Sequence, residues 1–304
     1  MEIREIEADE LETLVRIAVA AQPREYATVD GFVDWRRQAE DMVWLLCERE
    51  GQAVGAGFAL TGWHTPPHRA IGAALVEPTT RGAGAGTGVL RALEAWARDR
   101  GATELDGPVQ EDDTESLAWT ERRGYAEVGR DSQLVLDLTA IDAPEPDPPS
   151  GIEIVVWADR PELARGLYEV AAEATVDIPG EEENEIGSLE EWLERDMGGA
   201  SDDPRAVFVA LAADEVVGFA KLSLSRGNRE RAFHDLTGVR RVWRGRGIAA
   251  ALKRTQIAWA KNEGYTSLQT SNEARNEPIR RLNERHGYVV EPGRVFVRRA
   301  IGGP

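Results

Sequence analysis

Two segments of this chain, residues 76–86 and 239–249, share one pattern. Each has a valine, an arginine five residues later, a glycine three residues after the arginine and a small residue two positions beyond that glycine. Each segment follows an apolar, strand-like run and opens a helix-like run. The two arginines, Arg81 and Arg244, lie about one domain length apart. The chain is therefore predicted to be a tandem duplication of an α/β domain.

The repeated segment is a glycine-rich turn between a strand and a helix, which suits it to binding an anion. Glycines allow backbone N–H groups to approach a phosphate closely. The first turn of the helix adds N–H groups without intrahelical partners and the positive end of the helix dipole. The pattern thus favours a phosphate-bearing cofactor. The alternative is that the glycines serve packing alone, as in many strand-to-helix turns.

A proline-rich acidic stretch, residues 143–150, separates the two copies. Its prolines cannot continue a helix or a central strand, so the stretch is predicted to be a linker. Residues 1–142 would then form an N-terminal domain and residues 151–304 a C-terminal domain. In both halves hairpin-like strands come first and a strand–helix–strand–helix unit follows. This order predicts a mixed α/β sheet with flanking helices in each domain.

The charge of the chain restricts its partners. Its 304 residues include 54 acidic and 36 basic side chains, which give a formal net charge of −18. Such a balance disfavours binding to nucleic acid or to an anionic membrane and favours a cationic substrate, although solubility alone also explains it. The sequence shows no signal peptide and no run of about 20 apolar residues. A cytoplasmic protein is therefore expected.

Metal and disulfide chemistry are not expected. Cys47 is the single cysteine, which excludes an internal disulfide and a cysteine-based metal site. His64 and His68 are four residues apart, but two prolines between them predict a loop instead of a helix that would present both side chains. The oligomeric state is left open by the sequence.

The loop pattern resembles the pyrophosphate-binding motif of the GNAT N-acetyltransferase superfamily, in which Arg or Gln, two residues, Gly, one residue and Gly or Ala hold acetyl-CoA. The C-terminal half also resembles the family's later pattern of Asn, a small or apolar residue, Tyr and a Gly–aromatic pair, at Asn276, Ile279, Asn283, Gly287 and Tyr288. The resemblance covers most of both halves. It implies two tandem GNAT-like domains, each with a mixed, mostly antiparallel sheet and one splayed pair of parallel strands.

The resemblance also implies where acetyl-CoA binds. In the family it lies between the splayed strands, here residues 232–239 and 267–272, with its pyrophosphate on the glycine loop. In the C-terminal half the implied cofactor-binding residues are Val239, Arg240, Arg241, Arg244, Gly245, Arg246, Gly247, Ile248, Ala249, Asn272 and Asn276. In the N-terminal half they are Val76, Pro78, Arg81, Gly82, Gly84 and Gly86. For the two asparagines an ordinary turn or helix-capping role is the alternative.

Acetyl transfer to an amine requires a neutral nucleophile, a polarised thioester carbonyl and a proton for the leaving thiolate. The resemblance implies that the backbone N–H of Val239 polarises the carbonyl and that a nearby carboxylate acts as the base. Asp235 has the same side-chain parity as Thr237 and Val239 along the predicted strand, and we nominate it as the base. His234 is the second candidate. The alternative is a strand-end aspartate and a half-buried histidine without a catalytic role.

The position of the family's proton-donating tyrosine holds Asn283 in the C-terminal half and Thr120 in the N-terminal half. Asn283 is a poor acid, but its amide can hydrogen-bond the thiolate, so it is a catalytic candidate. The N-terminal strand, residues 70–76, has no acid, base or hydroxyl group, and Asp113 replaces the asparagine that corresponds to Asn276. We therefore expect the C-terminal domain to catalyse the reaction. The N-terminal domain would bind acetyl-CoA or only pack against the other.

The leading hypothesis is an N-acetyltransferase that uses acetyl-CoA and no metal to acetylate a primary amine of a small molecule. An acidic run corresponds to the family's acceptor-covering region and would suit a cationic amine, unless it is only a solvated charged face: Glu181, Glu182, Glu183 and Glu185. One rival is a catalytically silent CoA-binding sensor or scaffold. Another is a mononucleotide-binding protein, but neither loop has the Gly-Lys-Ser/Thr ending of a P-loop.

Overall fold

A computed structural model describes residues 1–25, 27–62, 65–177, 186–224, 229–273 and 277–302, with the backbone alone of residues 272, 273 and 277–279. The chain divides into two compact units. Residues 1–130 and 292–304 form the first unit, and residues 131–291 form the second unit. Each unit contains one of the two glycine loops.

The helices and strands follow closely the order predicted from the sequence. In the first half of the chain they are β1 (Glu2–Glu5), α1 (Leu11–Ala21), α2 (Val29–Gln38), β2 (Asp41–Arg49), β3 (Gln52–Thr61), β4 (Arg69–Leu75), α3 (Ala85–Asp99), β5 (Glu104–Gln110), α4 (Thr114–Glu121) and β6 (Ala126–Asp137). In the second half they are β7 (Ile152–Val156), α5 (Ala164–Thr175), α6 (Leu189–Met197), β8 (Val207–Ala212), β9 (Glu215–Leu224), β10 (Arg231–Val239), α7 (Ile248–Asn262), β11 (Ser267–Glu273), α8 (Glu277–Arg285), β12 (Val289–Glu291) and β13 (Arg294–Ala300).

Each unit is built on a mixed sheet. In the first unit the strand order is β1-β2-β3-β4-β5-β13-β6, and β4–β5 is its parallel pair. In the second unit the order is β6-β11-β10-β9-β8-β7, with β12 also beside β6, and β10–β11 is its parallel pair. The other strand pairs are antiparallel. The predicted fold class is confirmed.

Both faces of each sheet are covered by helices, which explains the continuous apolar runs in the central strands. Along β2, Trp44 packs against α1 and α2 on one face, whereas Leu45 packs against α3 on the other. Along β8, Val209 packs with α5 and α6, and Phe208 packs with α7. Of the helices within the described ranges, none combines the length and the hydropathy needed to cross a membrane.

The compact units divide the chain differently from the predicted boundaries at residues 142 and 151. The linker, residues 143–150, contains no helix or strand, as expected. However, residues 131–137 of β6 pair with β11 in the second unit, and β13 pairs with β5 and with residues 126–130 in the first. The buried side chains of Leu134 and Leu136 belong to the core of the second unit, and those of Val295 and Val297 to the core of the first. Such pairing between distant segments has no local sequence signal.

Candidate functional site

Both glycine loops have the backbone conformation that an anion site needs. Gly82 and Gly84 have φ values of 80° and 92°, and Gly245 and Gly247 have values of 75° and 88°. These angles favour glycine because a side chain would strain the backbone. Gly84 and Gly247 directly precede α3 and α7, and no side chain caps either helix. The first N–H groups of both helices therefore remain available to an anionic ligand.

The parallel strands next to each loop separate, as the resemblance to the GNAT superfamily implies. In the first unit β4 and β5 pair only from Arg69 to Ile71, although β4 continues to Leu75. In the second unit β10 and β11 pair only from Arg231 to Phe233, although β10 continues to Val239. Each pair thus opens toward its glycine loop, and the edge of β4 or β10 is left available to an extended ligand.

A cavity of about 430 Å³ lies in the first unit, between the open ends of β4 and β5. The glycine loop, the start of α3 and the inner side of α4 also line it. Five of the residues assigned to the cofactor in this half are at its wall: Val76, Arg81, Gly82, Gly84 and Gly86. Pro78 begins the single turn of 3₁₀ helix that leads into the loop.

The loop arginine of the first unit is paired with acidic side chains. Arg81 forms ion pairs with Asp113 at 2.9 Å and with Glu115 at 3.4 Å. Asp113 also caps α4 by accepting a hydrogen bond from the N–H of Ser116 at 3.0 Å. At the position of the family's tyrosine, the hydroxyl of Thr120 donates to the carbonyl of Leu117, 2.8 Å away. This hydroxyl is therefore engaged with its own helix.

The loop arginines of the second unit are held by the acidic end of α5. The guanidinium groups of Arg241 and Arg244 each lie 2.7 Å from the carboxylate of Asp177. These hydrogen bonds lower the pKa of Asp177 to about 2. The backbone N–H of Arg241, near the strand end where the pantetheine arm is expected, donates to the carboxylate of Glu173. An anionic ligand would have to compete with both carboxylates.

The remaining predicted cofactor residues of the second unit have separate environments. Arg240 pairs with Glu169 at 2.7 Å, and Arg246 lies over the ring of Trp243, 4.5 Å from its centre. The carbonyl of Val239 accepts from Nε of Arg244 at 2.9 Å. Ile248 is buried and Ala249 packs against the same core.

Asn272 lies in β11 opposite Ser132. Asn276 is outside the described residues, and so are the acidic residues Glu181, Glu182, Glu183 and Glu185.

A β-bulge determines where Asp235 points. His234 is opposite Leu222 and Thr237 is opposite Ala220, so β10 has one residue more than β9 over this stretch. The extra residue reverses the expected parity. Thr237 and Val239 lie on the face covered by α7, whereas Asp235 contacts Lys221 and Ser223 on the face covered by α5 and α6. The prediction that Asp235 shares a face with Thr237 and Val239 is therefore wrong.

Asp235 is a carboxylate that is fixed on one side and accessible on the other. Its Oδ2 lies 2.7 Å from Nζ of Lys221 and accepts from the hydroxyl of Ser223 at 3.1 Å. Removal from bulk water would raise the pKa of Asp235, but the ammonium of Lys221 and these hydrogen bonds lower it below the ordinary value. The side chain remains 40% exposed. At neutral pH it is an anion that solvent and ligands can reach.

His234 belongs to a hydrogen-bonded network on the opposite face of β10. The amide Nε2 of Gln256 donates to the carbonyl of Lys221, so its Oε1 accepts from Nδ1–H of His234, 3.0 Å away. The other ring nitrogen, Nε2, then accepts from the hydroxyl of Tyr288. Burial, with the nearby charge of Lys253, lowers the pKa of His234 well below its usual range. The imidazole is neutral and both its nitrogens are occupied.

Asn283 is fully buried, and neither its amide nitrogen nor its amide oxygen has a partner among the described residues. Such an unpaired group is costly unless a ligand completes its hydrogen bonds.

Lys253 of α7, near Tyr288, is only 2% exposed, and burial lowers its pKa to about 7. Sequence reasoning missed Lys221 and Lys253. A signal was present, because both are among the three lysines of a chain whose other cationic side chains are arginines, and both are at core-facing positions.

The profile of the Acetyltransferase (GNAT) family matches this chain twice, at residues 2–125 and 165–288. These matches cover most of the chain and contain both glycine loops. The chain belongs to the GNAT acetyltransferase family. The two matches also confirm the tandem arrangement that the duplicated motif predicts.

Similar proteins include an enzyme and two solved GNAT structures. An aminoglycoside N(6')-acetyltransferase type 1 of Stenotrophomonas maltophilia is 30% identical over 98 residues, which are 30% of this chain and 64% of that protein. The chain thus spans less than two thirds of this relative. A tandem GNAT protein from the clavulanic acid biosynthesis pathway is 19% identical, with a TM-score of 0.79 and coverage of 100% and 99%. A GCN5-related N-acetyltransferase of Sphaerobacter thermophilus is 24% identical, with a TM-score of 0.75 and coverage of 100% and 96%. These structures support the fold.

Proposed function

We propose that this protein transfers the acetyl group of acetyl-CoA to the primary amine of a small molecule, and that the second unit performs the chemistry. The observation that carries the proposal is Asp235. It is an accessible, ionised carboxylate at the bulge of β10, beside the point where the parallel strands separate. At the same distance from the glycine loop, β4 of the first unit has Gly72, which offers no functional group.

The residues of the second unit fit acetyl-CoA. Its pyrophosphate would be held by the uncapped N–H groups of α7, by the turn at Gly245 and Gly247, and by Arg244. The arm would follow the free edge of β10 near Val239. Binding would release Arg241 from Glu173 and Arg244 from Asp177. A nearby ligand atom would complete the hydrogen bonds of Asn283. When bound, acetyl-CoA supplies the acetyl group as a reactive thioester.

In the proposed mechanism Asp235 binds the acceptor through its ammonium group and orients it. The low pKa of Asp235 makes it a strong ion-pair partner and a weak proton acceptor, so it holds the ammonium group and passes the proton of the amine on to water. The nitrogen then attacks the carbonyl carbon, the new C–N bond forms and the C–S bond breaks. The amide of Asn283 donates to the departing sulfur, and water supplies the final proton. His234 is the weaker candidate because both its nitrogens are occupied.

The acceptor is proposed to be cationic, such as a polyamine or an aminoglycoside. Three observations support this choice: the net charge of −18, the ionised Asp235 and the similarity to an aminoglycoside acetyltransferase. A carboxylate that remains charged at neutral pH would favour an amine that carries further positive groups.

We further propose that the first unit binds acetyl-CoA without catalysing transfer. The cavity between β4 and β5 and the loop at Gly82 and Gly84 support binding. The lack of an acid, base or hydroxyl group at residues 70–76 and the internal hydrogen bond of Thr120 argue against chemistry there.

The test is to measure release of the free CoA thiol from acetyl-CoA with a panel of amines. Aminoglycosides and polyamines represent cationic acceptors, and amino acids and neutral amines are the comparison. Turnover confined to cationic amines is the expected result. Acetyl-CoA binding by calorimetry without turnover on any amine would support the silent CoA-binding alternative. Absence of binding would refute both.

A further inference from the structure

Behind Asp235 lies a buried lysine with two carboxylate partners. Lys221 of β9 is 5% exposed, and its Nζ lies 2.8 Å from Asp202 and 2.7 Å from Asp235. It also donates to the carbonyl of Asp196 at the end of α6. A buried ammonium is costly unless it is paired in this way, and an apolar side chain would suit the core at least as well. The lysine therefore requires an explanation beyond stability.

We infer that Lys221 is a positioning residue that holds Oδ2 of Asp235 and so directs Oδ1 to the ammonium group of the acceptor. Both side-chain contacts of Asp235, from Lys221 and from Ser223, are made to Oδ2. Oδ2 is thereby held by two donors, the backbone N–H of Leu236 also hydrogen-bonds the carboxylate, and the side chain as a whole remains 40% exposed. This inference rests on the proposed function of Asp235.

Asp202 makes the arrangement asymmetric. It is 9% exposed, and its Oδ2 accepts from the backbone N–H of Gly199 at 2.7 Å while its Oδ1 binds Lys221. Asp202 thus satisfies the lysine from the protein interior, whereas Asp235 faces outward. One ammonium thus contacts two carboxylates, of which Asp235 is the one exposed to a ligand.

Other charged groups on the elements around β10 have partners of their own or lie on the opposite face. They include Arg195 and Asp196 of α6, which pair with each other; Glu169 and Glu173 of α5, which bind Arg240 and Arg241; and His234 and Lys253 toward α7. Lys221 is the cation in contact with Asp235 among the described residues. Changes at Lys221 and Asp202 should therefore control the proton affinity of Asp235.

The test compares Lys221→Met, Lys221→Arg and Asp202→Asn in the full-length protein. Two readouts are used: the pH dependence of kcat/KM for the best amine, and the carboxyl carbon NMR titration of Asp235, assigned by its loss in Asp235→Asn. In Lys221→Met the acidic limb of the kcat/KM profile and the midpoint of the Asp235 titration should both move up by about one pH unit or more, because the cation next to Asp235 is lost. In Asp202→Asn both should move down, because a competing negative charge is lost. Lys221→Arg should restore most of the wild-type behaviour.

Opposite shifts in Lys221→Met and Asp202→Asn support the inference, since a merely structural role lowers activity without moving the titration. If Lys221→Met does not fold, Asp202→Asn and Lys221→Arg carry the test. Unchanged titration of Asp235 in folded variants would overturn the inference while leaving the acetyltransferase proposal intact. Shifted titration in a protein that acetylates no amine would refute the acetyltransferase proposal and leave the coupling of Lys221 to Asp235 standing.

Discussion

The strands β4 and β10 have the same place in their sheets, but β10 contains one extra residue relative to its antiparallel neighbour. Each has an antiparallel neighbour on one side and a diverging parallel neighbour on the other. The register of β4 with β3 is regular from Leu75 to Ile71, whereas β10 has a bulge between His234 and Thr237. In β10 the bulge turns an acidic side chain toward α5 and α6. A single inserted residue is thus enough to add a functional group to a duplicated scaffold.

The loop arginines show a second difference between the units. In the first unit Arg81 is bound by Asp113, the residue that caps α4 at the wall of the cavity. In the second unit Arg244 is bound by Asp177, which follows α5 and also holds Arg241. Both units therefore place a carboxylate where a pyrophosphate would compete. The second unit uses one aspartate to restrain two arginines.

Substituting glutamate for the equivalent loop glycines, Gly84 and Gly247, should produce the largest difference between the two units. Gly247→Glu should abolish acetyl-CoA binding in the second unit and all turnover, because a strained, negatively charged residue would occupy the anion site. Gly84→Glu should remove only the first unit's site and leave turnover within about threefold, or about 0.7 kcal/mol, of wild type. Calorimetry and the thiol assay measure these effects, with Gly→Ala at each position as a control for strain alone. Loss of turnover only in Gly84→Glu would reverse the assignment of the two units.

The second prediction concerns the bulge. Asp235→Asn should lower kcat by about 100-fold or more, the usual range for removing a general base, with little change in acetyl-CoA affinity. Asp214→Asn, at the exposed turn between β8 and β9, is the matched control and should be neutral. Initial rates at saturating acetyl-CoA measure the effect. A wild-type rate in Asp235→Asn would remove the aspartate from the mechanism.

The third prediction uses Lys253, whose counterpart in α3 is Leu90. Folding lowers its pKa from 10.5 to about 7, so the unfolded chain binds the more protons between these values. The free energy of unfolding should therefore rise with pH from 7 to 10 in the wild type, by up to about 1.4 kcal/mol per pH unit from this group. Lys253→Leu should be more stable at pH 7 and should lack this rise. Denaturant unfolding at several pH values measures the free energy of unfolding of the wild type and of Lys253→Leu, with Lys261→Leu as the control. If this free energy has the same pH dependence in the wild type and in Lys253→Leu, the lowered pKa of Lys253 is contradicted.

The smallest expected effect concerns the aspartates that compete for the loop arginines. Asp177→Asn should raise the acetyl-CoA affinity of the second unit by about three- to tenfold, or about 0.7–1.4 kcal/mol, because the pyrophosphate no longer displaces a carboxylate. Asp113→Asn should do the same in the first unit alone, since asparagine still caps a helix. Calorimetry on each variant separates the two sites. Weaker binding in either would mean that the aspartate preorganises its arginines instead of competing.

Much of the fold was predictable from short-range patterns. The order of hairpin strands followed by a strand–helix–strand–helix unit agrees with the sequence analysis in both halves, and the divergence of β10 and β11 was expected from the GNAT resemblance. The glycine-rich turn before each long helix was recognisable from the sequence, and the structure adds that two of its glycines have a left-handed backbone. In contrast, the partners of β6 and β13 were not predictable, because strand pairing depends on segments that are far apart in the sequence.

The sequence by itself determined the duplication, the two glycine-rich turns and several candidate site residues, because these depend on local backbone preferences and on spacing. Only the tertiary structure decided which face Asp235 occupies, because alternation along a strand does not reveal a bulge that is defined by its neighbour. It also decided that Lys221 and Asp202 stand behind Asp235, and that Asp177 holds Arg244. These contacts join residues from separate elements, and charge and burial are set only when those elements pack together.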